Sequence, residues 1–470
     1  MTSPDATQAE VPQHPPEAWP SGLRFARLAA RPLERFLRIE AASGIVLLVV
    51  AAIAFGWAIS PWHASYEALL ATPMRANVGP FSVERSLHWL IDDGLMTIFF
   101  FVVGLEIRRE IDHGELSDRR RATLPVVAAL GGMIVPALVY TLLAGHQAPN
   151  GWGVPMATDI AFALGVLALL GPRVPPALRV LLLALAVIDD LGAILVIALF
   201  YSGPIDGRGL GVALLGAAAI LVFQRFGIRR KLAYVPPAMV VWLGVLVSGI
   251  HPTIAGVVVG LMTPVRAWLG PGGLVQHAPR LLEELGRREA ETSNPHALAE
   301  TLATIDHLRR EAISPAESLI ESLHPWVAFA IMPVFAFANA GVAIQPSLLG
   351  REEATVAVGV AVGLIVGKLV GVLGASHVAI RSGLAACPRG ITTRHLVVLG
   401  TVAGIGFTMA LFVAGLGFQD AENLAAAKLG VLVGSTVAGL CAWLLGRWLL
   451  PVSQGVGAAS ADEAEGSTEL

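Results

Sequence analysis

The sequence predicts an all-α protein that crosses a membrane about twelve times. Hydrophobic residues make up 55% of its 470 residues, charged residues make up 14%, and the mean hydropathy is +0.69. Apolar runs of about 17 to 25 residues recur along the chain, and a helix of that length crosses roughly 30 Å of hydrocarbon. The net charge of −3 and the lack of long basic blocks argue against a nucleic-acid partner. The two cysteines, Cys387 and Cys441, lie far apart, so they indicate neither a disulfide framework nor a metal site. We expect no cofactor.

Twelve helices are expected where these runs lie. The first run begins about forty residues into the chain and eleven more follow, so we expect it to be retained rather than cleaved as a signal peptide. The expected helices lie near residues 41–60, 88–107, 122–143, 151–170, 177–200, 209–223, 234–249, 252–265, 325–343, 355–377, 394–417 and 425–447.

The loops between these helices differ in basic residues, which predicts their orientation. Loops that contain Arg108, Arg120 and Arg230 alternate with the loops at 144–150 and 418–424, which contain neither Arg nor Lys. Because short basic loops stay in the cytoplasm, both termini are predicted to be cytoplasmic.

Three segments are expected to lie outside the bilayer. Both chain ends are rich in Pro, Ala, Ser, Gly and Glu, a composition typical of disorder. A Leu, Glu and Arg pattern after the eighth helix predicts a cytoplasmic insert with one or two short helices. The predicted organisation is a tail over 1–35, the first part of a membrane domain over 36–265, the insert over 266–322, the second part over 323–450 and a tail over 451–470.

The first external loop has a different pattern. Two short alternating runs flank Gly79 and Pro80, which predicts a β-hairpin near 74–85. An isolated two-stranded ribbon is only marginally stable, so we expect this hairpin to be stabilised by pairing with another chain.

Three acidic residues lie near the middle of predicted spans. Asp159 lies within the run 151–170, and Asp189 and Asp190 lie at the centre of the run 177–200. A short carboxylate arm cannot reach an interface about 15 Å away, so each acid must face protein or water. Adjacent helical residues point about 100° apart, so one of the pair can face a cavity while the other meets a partner.

Lys368 is the expected partner of this acidic pair. It is one of three lysines in the chain and lies near the centre of the run 355–377. A lysine, unlike an arginine, can lose its proton when it is desolvated. Glycines recur every four residues around it and predict a smooth ridge for close helix packing. They are Gly359, Gly363, Gly367 and Gly371.

Two spans are expected to be interrupted. The stretch before Thr158 and Asp159 is rich in glycine and proline, and a second such stretch contains Gly404 and Gly406. Interrupted spans in two halves of a chain indicate a transporter's binding site. The alternative for the acids is a structural role as protonated, hydrogen-bonded groups, but three acids and a lysine at one depth favour a functional role.

The chain resembles bacterial Na⁺/H⁺ antiporters of the NhaA type over residues 36–450. The motifs that carry the resemblance are Asp93-Gly94-Leu95-Met96, Gly104-Leu105-Glu106-Ile107-Arg108-Arg109-Glu110, Ala157-Thr158-Asp159-Ile160-Ala161-Phe162, Ala186-Val187-Ile188-Asp189-Asp190, Ser248-Gly249-Ile250-His251, Leu323-His324-Pro325-Trp326, Phe335-Ala336-Phe337-Ala338-Asn339-Ala340-Gly341, Gly367-Lys368 and Gly404-Ile405-Gly406-Phe407-Thr408-Met409. The resemblance implies inverted repeats, two discontinuous helices that cross at the midplane, and an electrogenic exchanger of the bacterial inner membrane with a role in salt tolerance.

The resemblance also implies roles for individual residues. The cation and proton site would comprise Asp190, Asp189 and Thr158, with Na⁺ at the two aspartates. Asp159 and Lys368 would compensate helix dipoles or transfer protons, Gly404 and Gly406 would form broken-helix backbone, and Glu106, Glu110 and His324 would sense cytoplasmic pH. The hairpin at 74–85 would join a homodimer, whereas the insert at 266–322 departs from the shorter family loop.

The expected mechanism is competition between Na⁺, or Li⁺, and protons at the buried carboxylates. The hypothesis is that two protons enter per Na⁺ expelled, the second carried on Lys368 or on Asp189. Two other classes are open to test. An intramembrane aspartyl protease would need its two acids on separate helices, and a solute symporter would not explain an intramembrane lysine.

Overall fold

A computed structural model of the chain describes residues 40–78, 81–228, 230–267, 312–342, 350–388 and 390–451, with isolated positions between 268 and 311. The predicted N-terminal tail, most of the insert and nearly all of the C-terminal tail lie outside the described residues. The described helices are α1 Glu40–Ala58, α2 His63–Ala71, α3 Leu87–Trp89, α4 Met96–His113, α5 Arg119–Ala144, α6 Ile160–Leu170, α7 Pro176–Phe200, α8 Gly207–Arg225, α9 Val235–Val247, α10 Thr253–Met262, α11 Pro315–Trp326, α12 Met332–Ala340, α13 Arg351–Val362, α14 Lys368–Arg381, α15 Thr393–Ala403, α16 Phe407–Gly417 and α17 Ala421–Leu449.

The prediction of a polytopic helical membrane protein is confirmed. Within the described part, seven helical stretches are long and apolar enough to cross a membrane, and nine if two bent pairs each count as one span. The bent pairs are α1 with α2, at 113°, and α15 with α16, at 46°. Helices α9 and α10 are apolar but shorter. The count of twelve spans stays a prediction.

Two strands form the only sheet among the described residues. Strand β1, Pro73–Val78, pairs antiparallel with β2, Phe81–Ser86, so that Pro73 lies opposite Ser86. The Arg75 guanidinium lies 2.9 Å from the Glu84 carboxylate across the pair, but both side chains are exposed, and such ion pairs add little stability.

Among the described residues, three short π-helical segments interrupt the longer helices. They are Leu90–Leu95 before α4, Val327–Ile331 between α11 and α12, and Gly363–Gly367 between α13 and α14. A π turn holds an extra residue, so it re-aims the side chains that follow, and such turns are frequent at functional sites. The third segment ends directly before Lys368.

The glycine ridge packs against helix α5, as the spacing predicted. A Cβ atom added at Gly367 would lie 2.7 Å from the Cα of Pro136, and one added at Gly371 would meet the carbonyl oxygen of Gly131. The backbone of α5 is therefore in direct contact with the backbone of the π segment and of α14. Any larger side chain at these glycines would increase the distance between the helices.

This contact predicts the effect of one added methyl group. Gly371→Ala is expected to lower the unfolding temperature, because overpacking of a tight contact typically costs about 1–3 kcal/mol. Gly374→Ala on the same helix is the matched control, because a Cβ atom there meets nothing within 4 Å. Thermal unfolding of purified protein in detergent compares the two, and equal effects would contradict the assigned helix contact.

Candidate functional site

The first interrupted span places Thr158 and Asp159 between two helical pieces. A 3₁₀ segment, Pro149–Met156, comes first, and α6 begins at Ile160 after an extended stretch. Pro155 cannot donate a backbone hydrogen bond and Gly151 and Gly153 disfavour helix, so a continuous α-helix does not form here.

The second interrupted span has glycines at its break for a different reason. Helix α15 ends at Ala403 and α16 begins at Phe407. A Cβ atom at Gly404 would lie 2.5 Å from the carbonyl oxygen of Leu364, and one at Gly406 would lie 2.8 Å from that of Ala157. The two glycines thus permit close approach of backbone from two other segments.

The two breaks contact each other directly. The backbone N–H of Asp159 donates to the carbonyl of Ile405 at 2.7 Å. The hydroxyl of Thr158 donates to the carbonyl of Ala403 at 2.9 Å. Backbone groups that the interrupted helices leave unpaired are therefore satisfied by the opposite break.

Asp159 accepts hydrogen bonds from the N-termini of two helices. One carboxylate oxygen accepts the backbone N–H of Phe162 in α6 at 3.0 Å. The other accepts the backbone N–H of Thr408 in α16 at 3.1 Å and also the Thr408 hydroxyl. Asp159 is 1% exposed. Its negative charge thus lies at the positive ends of two helix dipoles.

Asp159→Ala is expected to destabilise the protein, because it removes a capping carboxylate from two helices at once. The loss of one N-cap typically costs about 1 kcal/mol, so two losses should lower the unfolding temperature clearly. Asp206→Ala is the control, because Asp206 is exposed and caps only α8, where it accepts the N–H of Arg208 at 2.9 Å. Equal temperature losses in the two variants would refute the double cap.

Asp189 and Lys368 form a buried ion pair between α7 and α14. The Lys368 ammonium lies 3.0 Å and 2.8 Å from the two carboxylate oxygens of Asp189. Lys368 is 0% exposed and Asp189 is 1% exposed. Thr158 lies beside the same carboxylate. The first interrupted span therefore adjoins the ion pair.

Asp190 has a different environment from its neighbour. It is 2% exposed, and among the described residues no hydrogen bond to its carboxylate is found. The charged groups around it are Asp189, Asp159, Glu106 and Lys368, so three acids and one base surround it. Such a carboxylate is free to bind a proton or a small cation that prefers oxygen ligands.

The three residues predicted to sense pH have different settings. The Glu110 carboxylate accepts the backbone N–H of Glu115 at 2.7 Å, a local contact at the end of α4. His324 is an exposed residue of α11. Helices α4 and α11 pack together, and the guanidinium of Arg109 lies 4.0 Å from the carboxylate of Glu317. Glu106 is one of the charged groups that act on Asp190.

Sequence reasoning missed Thr408 and Ser435 near the breaks. Thr408 contacts Asp159, and the Ser435 hydroxyl accepts the backbone N–H of Phe407 at 3.0 Å, so a side chain of α17 caps α16. The available sequence signal was the hydroxyl residue Thr408 next to a glycine-rich break. Hydroxyl residues are also common in ordinary helix packing, so this signal was weak.

Comparison with known proteins identifies the family. A sequence profile described as Na⁺/H⁺ antiporter 1 matches residues 34–445, which is most of the chain. The chain belongs to this Na⁺/H⁺ antiporter family. The resemblance seen in the motifs is thereby confirmed.

Named relatives cover almost the whole length of this antiporter-family chain. It is 61% identical over 458 residues to the Na(+)/H(+) antiporter NhaA 2 of Myxococcus xanthus, with 97% of each chain covered. It is 55% identical to the protein of the same name from Sorangium cellulosum, with 97% of this chain and 98% of the relative covered. An NhaA of Rhodopirellula baltica is 45% identical, with 95% and 98% covered. The family consists of ion transporters, which favours exchange over the protease and solute-symporter alternatives.

Proposed function

We propose that the protein is an electrogenic antiporter of the bacterial inner membrane that expels Na⁺, and also Li⁺, in exchange for protons. Its single strongest support is the buried Asp190 carboxylate, which accepts no hydrogen bond from the described residues and lies beside the Asp189–Lys368 ion pair where two interrupted helices meet. Na⁺ would bind between Asp189 and Asp190, with Thr158 or freed backbone carbonyls as further oxygen ligands.

Exchange follows from competition at these oxygens. With Asp190 protonated and Lys368 paired to Asp189, the three groups have no net charge. When Na⁺ binds, Asp190 releases its proton, and the single proton held by the Lys368–Asp189 pair, on Lys368 or on Asp189, leaves as well. The site then carries one negative charge with Na⁺ included, so the cycle moves one net charge for two protons and one Na⁺. Because a site holding Na⁺ cannot hold these protons, alternating access couples the two fluxes.

The interrupted helices supply the electrostatic setting of this proposed exchange. Asp159 would compensate the positive ends of α6 and α16, and Lys368 the negative ends of the preceding segments. We assign the two breaks to discontinuous helices of inverted repeats that cross near the midplane. The first break lies in the first part of the transporter domain, 36–265, and the second lies in the second part, 323–450.

Regulation and assembly complete the proposal. Glu106, Glu110 and His324 would adjust activity to cytoplasmic pH, and Glu106 is the most direct candidate because it lies near Asp190. The hairpin of β1 and β2 would join a homodimer by pairing with a second copy. Both termini and the insert at 266–322 would face the cytoplasm.

Charge movement in proteoliposomes tests the proposal. A Na⁺ concentration jump across membranes that contain the purified protein should produce a transient current and an opposite proton flux, with no organic solute added. A proton flux without current would refute the two-for-one stoichiometry. The absence of any Na⁺-dependent proton flux would refute antiport itself.

A further inference from the structure

A polar bridge joins three segments away from the buried acids. The Asn339 side-chain amide donates to the carboxylate of Asp92 at 2.7 Å. The Lys428 ammonium donates to the Asn339 side-chain oxygen at 3.2 Å. One amide therefore contacts both charged groups, and only this amide orientation serves both. The other carboxylate oxygen of Asp92 lies 3.3 Å from the His88 ring. Asn339 is 2% exposed, so the amide at the centre of the bridge is buried.

The bridge lies at the end of the molecule that is predicted to face outward. Asp92 follows the hairpin by a few residues, Asn339 is near the end of α12, and Lys428 is in the second turn of α17. The loop before α17 contains no basic residue, whereas Arg447 marks the opposite end of the same helix. By the distribution of basic residues, the bridge is on the outer side.

Its members belong to helices whose main neighbours differ. Lys428 is on α17, which packs along α13, α15 and α16 and so adjoins the interrupted span. Asn339 is on α12, which packs mainly on α1 and also contacts α16, α17 and the π segment that contains Asp92. The bridge therefore lies where the helices around the second break meet the helices that flank them.

We propose that Asp92, Asn339 and Lys428 form an outer latch, meaning a contact that stabilises the state of the transporter in which its outer end is closed. This inference rests on the proposed antiport by alternating access. When the outer end opens, the helices around the break must separate from their neighbours, so Lys428 must leave Asn339. The bridge contacts neither Asp190 nor the Asp189–Lys368 pair through any hydrogen bond in the described residues. It therefore acts on the balance between states, as positioning residues do, rather than on the cation ligands.

Side-specific kinetics provide the test. Lys428→Met should favour the outward-open state and so lower the KM for external Na⁺ while raising the KM for internal Na⁺. An effect of roughly tenfold is expected for one lost charge-assisted hydrogen bond. The measurement uses proteoliposomes of known protein orientation, with equal pH on both sides. Lys231→Met is the matched control, because Lys231 is exposed and bonds to Ser318 at the opposite end.

A charge exchange within the bridge provides the rescue. Asn339→Asp alone should also open the latch, because it places a second carboxylate next to Asp92. Combined with Asp92→Asn, it restores one amide and one carboxylate to the bridge, and both KM values should return toward those of the parent. Failure of this rescue would overturn the latch.

Other outcomes separate the alternatives. KM changes in the same direction on both sides would make Lys428 part of the cation route and overturn the latch. A smaller folded fraction with unchanged KM values would mean a structural role only, and would also overturn it. If the parent shows no Na⁺ transport, the proposed function fails. Hydrogen–deuterium exchange of α12 tests the bridge separately from transport: unchanged exchange in Lys428→Met overturns the latch, and faster exchange supports the contact on which the latch depends.

Discussion

Asp190→Asn is expected to reduce Na⁺-driven proton exchange to the level of protein-free vesicles. The substitution keeps the size of the side chain but removes its charge and its ability to alternate between a bound proton and a bound cation. A buried site needs that charge, because desolvated Na⁺ requires a negative partner and the neighbouring Asp189 is already paired with Lys368. Uptake of ²²Na⁺, or a pH-dye response in everted vesicles, measures the loss.

The same substitution should not harm the fold. The Asp190 carboxylate accepts no hydrogen bond in the described structure, so a neutral amide breaks no contact and removes a buried acid from among other acids. We expect an unfolding temperature equal to or above that of the parent, a pattern typical of residues kept for activity rather than stability.

Asp206→Asn is the matched control for this experiment. Asp206 is an exposed N-cap, and asparagine caps helices about as well as aspartate, so exchange should be unchanged. Normal exchange in Asp190→Asn would remove this residue from the cation site. A parallel loss in Asp206→Asn would show that the assay reports expression rather than chemistry.

The sequence predicted the partner of the acidic pair but not which acid it meets. Lys368 was the expected partner, and its ammonium lies against Asp189. The length of each apolar run also predicts that these residues lie near the midplane, because helical rise is constant. Which acid meets the lysine depends on helix rotation, and the π segment Gly363–Gly367 changes that rotation just before Lys368. A π turn has no clear signature in a single sequence, so the residues alone left both acids open.

For the interrupted helices too, the sequence predicted the local feature but not its long-range contact. Glycine and proline before Asp159 predicted a break there, since both residues disfavour helix. The contact of this break with Ile405 and Ala403 joins residues far apart in the chain, and no local pattern specifies it. The outer bridge was missed for the same reason. Asn339 is a single amide in an apolar run, and its partners Asp92 and Lys428 are far away in the chain.

The second large effect is expected at the ion pair. Lys368→Met removes the cation and leaves Asp189 buried without its partner. Loss of one member of a buried pair typically destabilises a protein by about 3–5 kcal/mol, because the remaining group keeps its desolvation penalty. We therefore expect a marked fall in the unfolding temperature, together with impaired exchange.

A double substitution separates the two effects. Lys368→Met combined with Asp189→Asn removes both charges, so the unfolding temperature should recover most of the loss, since methionine retains the volume of the lysine stem. Exchange should not recover, because both residues also belong to the proposed proton and cation site. Thermal unfolding and transport measured on the same preparations give the comparison. If the double variant were less stable than Lys368→Met alone, the pair would not be the source of the destabilisation, and the Asp189 carboxylate would have to be held chiefly by Thr158.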